Sequence, residues 1–225
     1  MKNSLLPALV LGALFFVQPA DAQVRFGVKA GVNASNVKFQ RDPDFDPLPG
    51  YQGGLQAEIS LSPNFSVQPA LLYVTKGFSS MLEFRNQQGT LTGNFRGTFR
   101  PNYLELPVLV LYKSQVSNTC KIFGGLGPYT AAGLGGKSSF NTQSVGFNQK
   151  ILFGPKKNRP EGTYNRMDHG LVAAAGVEVG RISLAVNYSH GLTGIAPVDH
   201  RADVISFYNR SLGLTAGYWF GKARI

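Results

Sequence analysis

Residues 181–192, "RISLAVNYSHGL", hold the pattern that decides the fold. Ile182, Leu184, Val186 and Tyr188 alternate with Ser183, Ala185, Asn187 and Ser189, which is the two-residue period of a strand with one apolar face and one small, polar face. What remains to be decided is which face meets water, and whether the other meets protein or hydrocarbon.

The same rhythm recurs from Val24 to Phe220. Val24, Phe26, Val28, Ala30 and Val32 open it; Leu55, Ala57, Ile59 and Leu61 follow, then Phe65, Val67, Pro69, Leu71 and Tyr73. Leu104 to Tyr112, Leu171 to Val179 and Leu212 to Phe220 continue it at every second position. The glycine-rich "CKIFGGLGPYTAAGLGG" (120–136) is also a strand, although its parity is open because small residues occupy both faces. Together with the opening stretch this makes eight strands, and no helical period competes with them. Short connections ("SPN" at 62–64, "SQVSNT" at 114–119, "GR" at 180–181) alternate with long ones at about 38–50, 80–100, 135–167 and 194–206. Short turns on one rim and long loops on the other are the habit of outer-membrane barrels, whose short turns face the periplasm. The expected fold is therefore all-β, a closed antiparallel eight-stranded up-and-down barrel.

Charge decides which face is wet. Only 15% of residues are charged, against roughly 25% in soluble domains. The apolar set carries no charge at its central positions, whereas the other set holds Arg25, Lys29, Glu58, Glu105 and Glu178 among Gly, Ser, Ala and Asn. A soluble barrel with the apolar set inside would present water with an exterior of Gly, Ala and Ser, short of the Lys and Glu that wet strands carry. With the apolar set on lipid, the small set fills a lumen that has room only for side chains. Arg25, Glu58 and Glu178 then fall nearer the periplasmic rim and Lys29 and Glu105 near mid-height. All five are expected to pair as a structural network, because an unpaired charge in a narrow lumen is expensive.

The N-terminus gives the compartment. Lys2, an apolar run from Leu5 to Val17 and Ala20-Asp21-Ala22 have the layout of a cleaved secretory signal over residues 1–22, leaving 23–225 as the barrel domain. Cys120 is the single cysteine, which excludes an internal disulfide. The net charge of +10 favours anionic partners, but an extracytoplasmic address disfavours nucleic acid.

"FGVKAGVN", "GGLQAEISLSPNFSVQPALLYVTKG", "NYLELPVLVLYK" and "LGLTAGYWFGK" resemble the PorT-like outer-membrane β-barrel family over about residues 24–222. The resemblance implies a small barrel in the outer membrane of a Gram-negative cell; the member that names the family is linked to secretion and gliding. Many outer-membrane barrels end on an aromatic residue, whereas Phe220 is followed here by "GKARI".

Function narrows by chemistry. Basic residues gather in the long connections: Arg85, Arg96 and Arg100 in one, Lys150, Lys156, Lys157, Arg159 and Arg166 in another. They suit the phosphates of lipopolysaccharide. Asp42, Asp44 and Asp46 in "RDPDFDP" resemble half of a calcium loop, but the turn glycine and closing Glu are missing. His169, His190 and His200 with Ser189, Asp168, Asp199 and Asp203 raise the question of catalysis, yet Ser189 and His190 are strand neighbours and point to opposite faces. No G-x-S-x-G turn or metal-type histidine spacing is present. The expectation is a non-enzymatic outer-membrane barrel without cofactor or metal, plugged by polar side chains, its loops contacting lipopolysaccharide or an envelope protein in assembly or secretion. The alternatives are a lipid-modifying barrel enzyme and a soluble barrel of lipocalin type.

Overall fold

The computed structural model describes residues 24–38, 46–85, 91–142, 146–154, 163–195 and 207–220. Residues 1–22, expected from the sequence to be a signal, lie outside them, as do Asp42, Asp44, Lys156, Lys157, Arg159, Asp199, His200, Asp203 and the final 221–225. The described strands are β1 (Val24–Lys38), β2 (Asp46–Ser60), β3 (Phe65–Thr75), β4 (Phe78–Arg85), β5 (Leu91–Gln115), β6 (Cys120–Thr142), β7 (Gly146–Lys150), β8 (Phe153–Gly154), β9 (Tyr164–Asn165), β10 (Met167–Val179), β11 (Ile182–Gly191) and β12 (Tyr208–Trp219).

Eight of them close a ring. β1, β2, β3, β5, β6, β10, β11 and β12 each pair antiparallel with the next, and β12 pairs back onto β1 from Gly27↔Trp219 to Lys38↔Tyr208. Closure leaves no edge in the ring, so every strand finds backbone partners on both sides. The short turns lie at 61–64, 116–119 and 180–181, all on the rim that also holds Val24 and Phe220. Gly180 takes a positive φ of 59° there, the backbone that a two-residue hairpin requires.

The faces are as the alternation requires. Val32, Leu55, Leu126, Ile182, Leu184, Val186, Leu212 and Leu214 are all more than half exposed on the outer wall. Such a continuous apolar exterior is stable only against hydrocarbon. Ring pairs mark both borders of this band: Phe65–Tyr112 and Tyr218–Phe220 near the short turns, Tyr51–Tyr73 at the opposite end. The open parity of 120–136 is settled, with Ile122, Leu126 and Leu134 outward and Tyr129 and Ala131 buried inward.

Two expectations need correction. The lumen is not lined throughout by small polar residues, because Tyr103, Leu109, Leu111, Tyr129, Ala131, Val172 and Ala174 form an apolar cluster on the β5–β6–β10 side. The cause is local: "LPVLVLY" (106–112) is apolar on both faces, and the inner leucines lie over glycines. A Cβ at Gly125 would meet Leu111 Cδ2 at 2.7 Å, and one at Gly127 would run into the Val108 carbonyl. The second correction concerns the long connections at 80–100 and 135–167, which are not simple loops. β4 pairs with the upper part of β5 and β7 with the upper part of β6, so two hairpins extend the barrel wall beyond the hydrocarbon. These stretches mix aromatic and polar residues without the steady alternation of the spans: Phe78 and Phe99 pack on each other, while Arg96, Asn141 and every residue of β7 are exposed.

Val186 sits midway along the lipid face of β11, so Val186→Arg is expected to cost about 2–4 kcal/mol of folding free energy in bilayers. Ser62→Arg, in an exposed turn, should cost far less, limited to the exposed hydrogen bond from Phe65 N to Ser62 Oγ. Urea unfolding in lipid vesicles reads both; equal stability of the two variants would contradict a lipid-facing Val186.

Candidate functional site

The lumen holds two ionic clusters, one near each end. At the short-turn rim the inward positions of β1, β2, β5 and β10 converge. Arg25 donates from Nη1 to Glu178 Oε1 at 2.7 Å and from Nη2 to Glu178 Oε2 at 2.6 Å, and reaches Glu58 Oε2 at 2.9 Å. Lys113 Nζ donates to the same two carboxylates, at 2.6 Å to Glu58 and 2.9 Å to Glu178. The Arg25 guanidinium also lies 4.2 Å from the centre of the Trp219 ring, which is 1% exposed. Two cations thus face two carboxylates over an aromatic floor, each charge satisfied from more than one side.

Towards the other end, Lys76 lies between β3 and β4 with its side chain buried. Its Nζ is 2.7 Å from Glu105 Oε2 and 3.3 Å from Asp168 Oδ2, and 4.4 Å from the centre of the Tyr129 ring. Asp168 Oδ2 also accepts from Asn209 Nδ2 at 2.8 Å and from Tyr129 OH at 3.2 Å. Gly77, with φ of +152°, bends the chain just after Lys76, and a Cβ there would strike the Phe99 carbonyl. Only glycine permits the turn that aims Lys76 inward. Between the clusters Lys29 lies on the lumen face with Glu105 as its electrostatic partner. Arg25, Lys29, Lys76 and Lys113 therefore balance Glu58, Glu105, Asp168 and Glu178 charge for charge.

Above the second cluster a group of aromatic side chains packs together as a cap. Phe99 packs on Tyr164 with centroids 4.5 Å apart and on Phe78 at 5.4 Å, while Phe153 meets Tyr103 at 5.6 Å. Ile151 and Ile195 are buried beside them. Backbone bonds from Ile151 N to Gly136 O and from Ile195 N to Phe207 O anchor the cap to the wall.

The five lumen residues read from sequence thus divide between clusters: Arg25, Glu58 and Glu178 meet directly, whereas Glu105 and Lys29 belong to the upper group. Lys113, Lys76, Asp168 and Trp219 are added by the structure. Lys113 and Asp168 carry the inward parity of Glu105 and Glu178, so extending each alternation by a few residues would have found them. Lys76 sits in a turn, where parity has no meaning. Of the basic connection residues, Arg96, Arg100, Lys150 and Arg166 are exposed, and Arg85 ends β4. The catalytic candidates do not assemble among the described residues: Ser189 is buried inward, His190 stacks on Tyr188, His169 meets Thr130 Oγ1 at 2.9 Å, and Asp168 binds Lys76. Asp46 is an exposed residue at the start of β2.

Residues 16–196 match the family described as outer membrane protein beta-barrel domain. Similar solved structures include Ail, the attachment invasion locus protein of Yersinia pestis, in complex with the heparin analogue sucrose octasulfate. It is 14% identical, with a TM-score of 0.41 and coverage of 88% of this chain and 99% of that one. Neisserial surface protein A is 12% identical, covering 86% and 96% with a TM-score of 0.41. The outer membrane protein OprG from Pseudomonas aeruginosa is 12% identical, covering 88% and 94% with a TM-score of 0.37. No curated protein matches the sequence.

Removing one member of the lower cluster should be severe. Lys113→Gln leaves two carboxylates facing one guanidinium, and a loss of about 3–5 kcal/mol is expected. Lys113→Arg keeps the charge and should restore most of it. Urea unfolding in vesicles, read by Trp219 fluorescence, measures both; a Gln variant as stable as the parent would contradict the pairing.

Proposed function

We propose that this chain, which belongs to the outer membrane protein β-barrel domain family and resides in the outer membrane, is a non-enzymatic barrel with a sealed lumen that works through its outward surfaces. The observation that carries this reading is the charge-balanced lumen. Arg25, Lys113 and Lys76 each contact carboxylates, Lys29 has Glu105 as its electrostatic partner, and Phe99, Tyr164 and Phe78 pack together towards the mouth. Eight strands enclose space only for side chains, so ordered ion pairs there act as a plug rather than as a conduction path.

The extracellular extensions are then the working parts. Arg96, Arg100, Lys150 and Arg166 are exposed there, and lipopolysaccharide or an envelope protein is the partner we favour, in an accessory role in envelope assembly or secretion of the kind the PorT resemblance implies. Residues 1–22 act as the cleaved signal in this reading. The soluble lipocalin-type reading is excluded by the family and by the apolar exterior. The lipid-modifying alternative would need a nucleophile beside a base, and Ser189 and His190 face opposite ways.

Purified protein in planar bilayers is expected to show no stepwise conductance, and Glu105→Gln should behave the same. Regular single-channel steps in either would overturn the plug. Mass spectrometry of lipid A from cells with and without the protein should be identical; a shift by one acyl chain would establish the enzyme instead.

A further inference from the structure

Three basic residues lie directly opposite one another on consecutive strands. Arg100 of β5 is the register partner of Lys137 of β6, and Lys137 is the partner of Lys150 of β7. All three are exposed on the outer wall. Lys137 was not among the sequence-derived basic residues; the pairing register places it at the centre of the row. Like charges at directly opposed positions repel, so a sheet that puts three in line gains from a counter-ion. Among the described residues no carboxylate pairs with any of them, and their neighbours on this face are Thr98, Asn102, Ser139 and Asn148.

Their height is also defined. On β5 the outward residues from Tyr112 to Leu104 are apolar, and the next outward positions are Asn102 and Arg100. Arg100 lies about a dozen residues beyond Tyr112, or ~40 Å of strand at ~3.3 Å per residue and ~30 Å of height at a ~40° tilt. That is where the hydrocarbon ends and headgroups begin. A bulge falls at the same border: Asn102 pairs with Gly135 and Tyr103 with Gly133, leaving Leu134 unpaired. The extra residue resets the parity of β6, so that Lys137 faces outward above the outward Leu134. Leu134 and Leu152, 58% and 61% exposed, lie on the membrane side of the row.

Resting on the outer-membrane reading above, we infer that Arg100, Lys137 and Lys150 form a binding site for the phosphates of an outer-leaflet phosphoglycolipid. The acyl chains would lie against Leu134, Leu152 and Leu104 below. The geometry suits this ligand: cations in a rigid line at headgroup height, apolar side chains beneath, and a guanidinium able to hold a phosphate in two bonds.

The test uses the full mature chain, freed of lipopolysaccharide in neutral detergent and titrated with diphosphorylated lipid A. Wild type should bind, with affinity falling as salt rises. Arg100→Gln/Lys137→Gln/Lys150→Gln should bind about a hundredfold more weakly, at roughly fivefold per cation removed from an anionic surface. The charge-preserving Arg100→Lys/Lys137→Arg/Lys150→Arg should bind as wild type does, as should Arg181→Gln at the opposite rim. Dephosphorylated lipid A should bind as weakly to wild type as the diphosphorylated lipid does to the Gln variant. Wild-type affinity in a Gln variant that still migrates as a folded barrel would overturn the inference, and so would equal binding of dephosphorylated lipid. A phosphorylated sugar without acyl chains binding as tightly as lipid A would overturn the lipid assignment. Fractionation keeps the two readings separate: protein in the outer-membrane pellet without phosphate-dependent binding removes only this site, while protein in the soluble periplasm removes the barrel assignment itself.

Discussion

A strand in hydrocarbon has no water to satisfy its backbone, and everything else in this molecule follows from meeting that demand. The β1–β12 pairing meets it, joining the first strand to the last along most of its length. Once the ring is shut, each side chain has two destinations. The outer one accepts Leu, Val and Ile without packing partners, because lipid is the partner. The inner one is narrow and must be filled by the protein itself, and that second condition sets the chemistry of the lumen.

Filling a narrow space with charges is costly unless they cancel locally, and the two clusters solve this differently. The lower one is self-contained: Arg25 and Lys113 each contact both Glu58 and Glu178, and Trp219 covers the guanidinium. The upper one has one direct cation, Lys76, for two carboxylates, and its remaining balance comes from Lys29 below, with Tyr129 and Asn209 donating to Asp168. Such arrangements stabilise little compared with an apolar core of equal volume, but breaking one is expensive. They lock strands that are far apart in sequence into one register: Arg25 and Glu178 are 153 positions apart. Apolar filling dominates only where β5 is greasy on both faces, and there glycines of β6 give the leucines room.

How much was legible in advance follows from the same physics. Ile182, Leu184 and Val186 announce their face because one side is lipid and the other is polar, and such contrast fixes period and orientation together. The contrast fails in three places. On β6, Gly124, Gly125, Gly127 and Gly133 dilute both faces, so parity could not be assigned. Above the membrane β7 is exposed on both faces, and β4 and the upper β5 mix aromatic and polar residues with no steady alternation, so strands there resemble loops. Lys76 is placed by the turn at Gly77 rather than by a strand period. The partners Lys113 and Asp168 were within reach, since they stand on the same faces as Glu105 and Glu178 just past the residues counted.

The wet hairpins raise a question of their own, because a strand outside the bilayer need not exist. β7 ends the sheet, and all five of its residues are exposed. A lysine on such an edge discourages pairing with another chain, which is reason enough for Lys150. It is no reason for Arg100 and Lys137, which lie on strands already paired on both sides at that level or next to the ring. A single edge lysine would have served protection; a row of three across adjacent strands adds repulsion that protection does not require. The bulge at Leu134 points the same way, since without the added residue Lys137 would turn inward beneath the aromatic cap. Lengthening the wall, resetting its parity and aligning its cations are three separate features, and a bound anion at headgroup height makes sense of all of them together.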